Sequence, residues 1–112
     1  MHIDEYGFGK IVIDGKKYNR DVVITPKEVR EWWRVKGHEV CVKDLELIEN
    51  EDLDVLIIGT GYFGIVKVLP EVKEWAKKRG VELIALPTRE ACNLYNEKSR
   101  EKRVVAALHL TC

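Results

Sequence analysis

An excess of charge of either sign is missing from this chain. Nineteen Lys and Arg residues balance 19 Asp and Glu residues, so the basic footprint of a general nucleic-acid binder is absent. Long hydrophobic runs are missing too: none approaches the roughly 20 residues that carry a helix across a bilayer. The N-terminus MHIDEYGFGK lacks the basic start and apolar core of a secretory signal. The expectation is a soluble, cytoplasmic protein that partners neither nucleic acid nor membrane. Cysteine is scarce, and Cys41, Cys92 and Cys112 form no C-x-x-C pair, which argues for reduced thiols over a disulfide framework. The lone serine, Ser99, sits in a charged stretch without a nucleophile elbow, which removes serine hydrolase chemistry. His109 and Cys112 make a single H-x-x-C pair with no second pair to match it, so neither a metal nor another cofactor is expected. Glutamine is absent while Lys and Glu dominate the polar positions, a composition found in proteins built for high temperature.

What is present fits one domain spanning residues 1–112. In KIVIDGKKY, Asp14-Gly15 separates two β-like segments, the strongest short hairpin signal. DVVIT follows as another short apolar run. In TPKEVREWW, Thr25, Pro26 and Glu28 fit a helix start while Trp32, Trp33 and Val35 fit an extended chain, so residues 26–36 stay open between helix and strand. Adjacent tryptophans cannot point the same way, which leaves one at the surface. Val42, Leu45 and Ile48 recur every three residues and predict a short helix. From Asp54 the order is regular: DVLIIG, a helix opening at Pro70, VELIAL, a helix opening at Thr88 as N-cap, and VVAALHL. The fold class expected is α/β, a mixed sheet with flanking helices whose second half runs β-α-β-α-β, plus an N-terminal hairpin layer.

LIIGTGYFG carries G-x-G-x-x-G at Gly59, Gly61 and Gly64. A dinucleotide fold needs its helix to start at that turn and an acidic residue at the end of the next strand. Here the helix starts later, at Pro70, and the next strand ends in Pro87-Thr88. No G-K-[ST] follows the glycines, so a P-loop fails as well. The remaining reading is a strand-end cleft: if the two strands are parallel neighbours, Gly59, Thr60 and Gly61 meet Thr88 and Arg89 at one sheet edge. Such a cleft would take a small anion or a partner's carboxylate. Equally, these glycines and Thr88 could do no more than shape the turns. Cys92, in the first turn of the last helix beside Arg89, is the one candidate reactive thiol, set against a plain buried cysteine.

DVVITP, the W-x-x-x-x-x-H of Trp32 to His38, VLIIGTGYFG, LPTREACNLYN and RVVAALHLTC, in this order, resemble a family of uncharacterised archaeal and bacterial domains. Its eukaryotic relatives include the mitochondrial complex I assembly factor 3 and the adipogenesis-associated domain protein. The resemblance spans nearly the whole chain. It implies a mixed sheet with helices and an extra β layer, no established enzymatic activity, and binding rather than catalysis. The family's shared positions fall here on Gly59, Thr60, Gly61, Pro87, Thr88, Asn96 and the stretch from His109 to Cys112. Three readings therefore stand side by side: a binding domain for an anionic ligand or a partner's acidic group, a small enzyme using Cys92, and a pure interaction scaffold.

Overall fold

The computed structural model describes Met1–Cys112. Its strands are β1 (Ile3–Gly7), β2 (Lys10–Ile13), β3 (Lys16–Tyr18), β4 (Val22–Ile24), β5 (Val29–Glu31), β6 (Glu39–Val40), β7 (Val55–Thr60), β8 (Lys67–Val68), β9 (Glu82–Leu86) and β10 (Val104–His109). A 3-10 helix covers Val42–Ile48, and the α-helices are α1 (Pro70–Lys78) and α2 (Thr88–Lys98).

The apolar runs of the second half form the centre of a mixed sheet ordered β5-β4-β10-β7-β9. β10 and β9 flank β7 in parallel, while β4 pairs antiparallel with β10 and β5. Every residue of β7 and β10 is buried, because both sheet faces are covered. Alternation decides which side each residue serves. Val55 and Ile57 pack beneath α2 and the N-terminal strands, whereas Leu56 and Ile58 pack against α1 and the 3-10 helix.

The Asp14-Gly15 turn has positive φ at both residues, 49° and 81°, as the two-residue hairpin between β2 and β3 requires. Strand β1 adds a third member to this layer. It leaves little trace in the sequence because Ile3 and Tyr6, both buried, are an odd number of residues apart. An irregularity in the pairing between Ile3 and Glu5 absorbs the extra residue. Asn96 of α2 closes this strand's edge: its Oδ1 accepts the Ile3 N–H and its Nδ2 donates to the Ile3 carbonyl, both at 2.9 Å. Replacing Asn96 with Ala is expected to lower unfolding free energy by about 2 kcal/mol in a urea titration, since two backbone groups lose their partners.

Within residues 26–36 only Val29–Glu31 form a strand, none is helical, and the rest is turn and irregular chain. The Thr25 hydroxyl accepts the N–H groups of Lys27 and Glu28 and donates to the Glu28 carbonyl, a tight turn that leads into β5. Trp32 is buried and donates its Nε1–H to the Asp44 carbonyl at 2.9 Å, while Trp33 is 69% exposed. The three-residue spacing from Val42 to Ile48 suits the 3-10 repeat. Asp44 fixes that helix by accepting the N–H groups of Cys41 and Val35.

Candidate functional site

Because β7 and β9 are parallel neighbours, the turns after them lie at the same edge of the sheet. There Gly61 donates its N–H to the Thr88 Oγ1 at 2.9 Å and accepts the Thr88 N–H at 3.0 Å. The Thr88 hydroxyl donates onward to the His109 carbonyl at 2.6 Å. One buried hydroxyl thus joins the ends of β7 and β10 to the start of α2. This corrects the expectation that Thr88 is the N-cap. Pro87 occupies that position without a side-chain cap, and the Thr88 side chain turns inward because the Gly61 amide and the His109 carbonyl both need a partner.

The glycines follow from the same packing. A Cβ on Gly59 would stand 2.8 Å from Leu108 Cδ2 and 2.9 Å from Thr88 Oγ1. One on Gly61, whose φ is +101°, would stand 2.8 Å from the Thr111 carbonyl oxygen. Thr60 is buried, and its carbonyl accepts the Val66 N–H. Gly59, Thr60, Gly61 and Thr88 do come together, with the polar groups just described engaged inside the fold. As α1 begins at Pro70, beyond β8, its N-terminus does not stand at the glycine turn.

Arg89 is the member of the expected set that faces solvent. Its guanidinium lies 5.5 Å from the Tyr6 ring centroid and 5.9 Å from that of Tyr62. Tyr62 in turn meets Phe63 edge-on at 5.1 Å and Phe8 at 5.6 Å. Phe8 and Phe63 are 54% and 66% exposed, and Ile65 beside them is 50% exposed. All three stand in loops. Phe8 occupies the turn between β1 and β2, and residues 62–65 form the loop leaving β7. The last residues of the chain staple both loops: the Leu110 carbonyl accepts the Gly9 N–H and the Tyr6 hydroxyl, and the Thr111 carbonyl accepts the Tyr62 N–H. Burial holds the Tyr6 hydroxyl pKa up at about 12, so it remains a hydrogen-bond donor.

Cys92 lines a cavity of about 280 Å³ between α2 and β1, with Tyr6, Arg89 and Asn96 on its walls. Burial pushes its thiol up to about 12, with the nearby Arg89 charge offsetting only part of that. A nucleophilic thiol needs the opposite shift. At pH 8 a soluble disulfide reagent is expected to modify the exposed Cys112 readily and to reach Cys92 only on unfolding; fast labelling of native Cys92 would contradict this.

A second constellation lies at the same end of β10, and although Asp21 and His109 fall in the DVVITP and RVVAALHLTC segments, nothing in the sequence pairs them. Asp21 precedes β4, His109 ends β10, and the antiparallel register Leu108↔Val22 sets them side by side although 88 residues separate them. His109 Nδ1 stands 2.7 Å from Asp21 Oδ2 and 2.8 Å from Arg34 Nη2, so it donates to the carboxylate in one tautomer and accepts from the guanidinium in the other. Arg34 Nη2 reaches the same oxygen at 3.3 Å, and the Leu110 N–H donates to Oδ1 at 2.9 Å. The Arg34 side chain is 6% exposed, and its Nε is buried without a partner. Burial raises the Asp21 pKa, yet the hydrogen bonds from His109 and Leu110 and the charges of His109 and Arg34 together hold it below the usual carboxylate range. Thr111 Oγ1 is 3.4 Å from His109 Nε2, longer than a working hydrogen bond, and the group clasps β4, the Trp33-Arg34 segment and β10 at the wall of a cavity of about 290 Å³ that Asp21 and Arg34 line.

The family described as "Protein of unknown function (DUF498/DUF598)" matches residues 3–109. A conserved hypothetical protein from Pyrococcus horikoshii, solved by crystallography, is 36% identical over the full length of both chains, with a TM-score of 0.90. Among curated proteins, the NADH dehydrogenase [ubiquinone] 1 alpha subcomplex assembly factor 3 of Danio rerio is 30% identical over 97 residues, covering 85% of this chain and 55% of its own length. That of Xenopus tropicalis is 24% identical over 109 residues, covering 96% of this chain and 59% of its own. The chain thus spans somewhat over half the length of these curated relatives.

Proposed function

The chain belongs to the family of proteins of unknown function DUF498/DUF598, and we propose that it acts by binding. On this reading it is a single domain whose strand-end surface docks a partner protein, with a carboxylate of that partner on Arg89 and apolar side chains on Phe8, Tyr62, Phe63 and Ile65. The observation that carries the reading is the setting of Arg89. A cation against two tyrosine rings and beside exposed phenylalanines suits a group that is both acidic and apolar. Aromatic residues and arginine are the side chains on which docking energy concentrates. The printed name of the vertebrate relatives, an assembly factor of a multisubunit complex, supports a protein partner over a free inorganic anion. The raised pKa of Cys92 weighs against an enzyme using that thiol.

A thermal-shift comparison tests the reading. The probe is the tripeptide acetyl-Leu-Asp-Phe-amide, set beside phosphate and sulfate, on the wild type and Arg89→Ala. A ligand present at ten times its Kd stabilises the native state by about 1.4 kcal/mol. The tripeptide is expected to raise Tm by a few degrees in the wild type and not in the variant. Equal shifts from phosphate and from the tripeptide would replace the partner by a small anion. No shift from any of them would remove the reading.

A further inference from the structure

A different part of the fold, independent of Arg89, leaves a sheet edge open. Extended chains leave unpaired backbone groups at every sheet edge, and proteins guard such edges with charge, bulges or a covering element. Of the four edges of the two larger sheets, three are guarded. β3 carries Lys16 and Lys17, β5 carries Arg30 and Glu31, and the Ile3 backbone at the β1 edge is closed by Asn96. β9 forms the remaining edge of the five-stranded sheet, and after Glu82 it reads Leu-Ile-Ala-Leu with no guard.

Its backbone is available. Glu82 donates its N–H to the Asp54 carbonyl, so by the two-residue period Ile84 and Leu86 also turn their backbone groups toward β7. Leu83 and Ala85 therefore turn theirs outward. On the α1 side, Leu83 and Ala85 line a groove of about 430 Å³, which continues over Ala76 and Val81 and is rimmed by Lys73 and Lys77. Both lysines are exposed and make no salt bridge.

We propose that β9 is a strand-addition site that takes an extended segment of a partner protein whose glutamates face Lys73 and Lys77. Main-chain hydrogen bonds at Leu83 and Ala85 would supply the register, as in other cases of an added strand. A glutamate suits the groove because its methylene stem covers the apolar floor while its carboxylate reaches the lysine rim. Alternate residues of the segment would lie on the opposite face, next to the half-buried Ile84 and Leu86, and so would be apolar. Charge argues against a second copy as the occupant. Two β9 strands added antiparallel about a two-fold axis normal to the sheet would keep both α1 helices on one face, and each Lys73–Lys77 row would confront the other.

The test uses acetyl-Val-Glu-Val-Glu-Val-Glu-Val-amide as probe, the same peptide with Lys in place of Glu as control, and amide hydrogen exchange as readout. In the free protein the Leu83 and Ala85 amides are expected to exchange quickly and those of Ile84 and Leu86 slowly. The Glu peptide should protect Leu83 and Ala85, and the Lys peptide should not. The double variant Lys73→Glu/Lys77→Glu, altered only at exposed positions, should bind the Glu peptide at least about tenfold more weakly and reverse the preference. Failure of the Glu peptide to protect these two amides, protection unchanged in the double variant, or a dimer through β9 in sedimentation that already protects them would each overturn the proposal.

Discussion

Asp21→Asn is expected to cost about 3–5 kcal/mol of unfolding free energy. Asn can still accept the Leu110 N–H, but it leaves the guanidinium of Arg34, a side chain only 6% exposed, without its counter-charge. The pH dependence gives the loss a signature. The Asp21 pKa lies below its ordinary value of 3.8 in the folded chain, so its contribution is complete above 3.8 and fades as pH falls through the folded value. Wild-type stability should therefore drop below about pH 4 through this group, and the Asn variant should lose that part of the slope. Urea titrations at pH 7 and at stepped acid pH measure both effects. An Asn variant within about 1 kcal/mol of wild type at pH 7 would mean that the clasp contributes no more than an exposed pair.

Gly61→Ala is expected to destabilise by about 3 kcal/mol, from a strained left-handed backbone together with overpacking. The added methyl would meet the Thr111 carbonyl oxygen at 2.8 Å and His109 Cδ2 at 3.1 Å, while φ stays at +101°. The Thr111 oxygen is backbone and holds the Tyr62 N–H, so relief requires the aromatic loop itself to move. The loss should therefore appear both in a urea titration and as changed exchange of the Tyr62 amide. A near-neutral Gly61→Ala would show that the glycine serves neither the turn nor the contact.

The elements that sequence reveals here are those whose cause is local. The Asp14-Gly15 turn, the apolar runs of β7 and β10, and Pro70 and Gly80 at the ends of α1 each carry their reason within a few residues. Strand β1 did not, because an irregularity shifted Tyr6 out of the two-residue pattern. Thr88 looked like a cap because a threonine before a helix usually is one. Only the meeting of β7, β10 and α2 reveals the two backbone groups that claim its hydroxyl. The candidate site was legible in part. The sequence put the two turns of a β-α-β unit at one edge only on the condition that their strands are parallel neighbours, and the structure supplies that pairing. It could not place Phe8, which reaches Tyr62 and Phe63 from the N-terminal layer, or pair Asp21 with His109 across antiparallel strands. Those contacts join residues tens of positions apart whose types are individually ordinary.

The strand-end surface is tested most directly by two-dimensional NMR of the isotope-labelled protein titrated with acetyl-Leu-Asp-Phe-amide, a probe too short to add a strand at β9. The account predicts that the backbone signals of Phe8, Tyr62, Phe63 and Arg89 move together and saturably, and that Arg89→Glu abolishes the movement while the rest of the spectrum stays native. Signals that stay fixed at this surface, or that move equally in the Arg89→Glu variant, would contradict it.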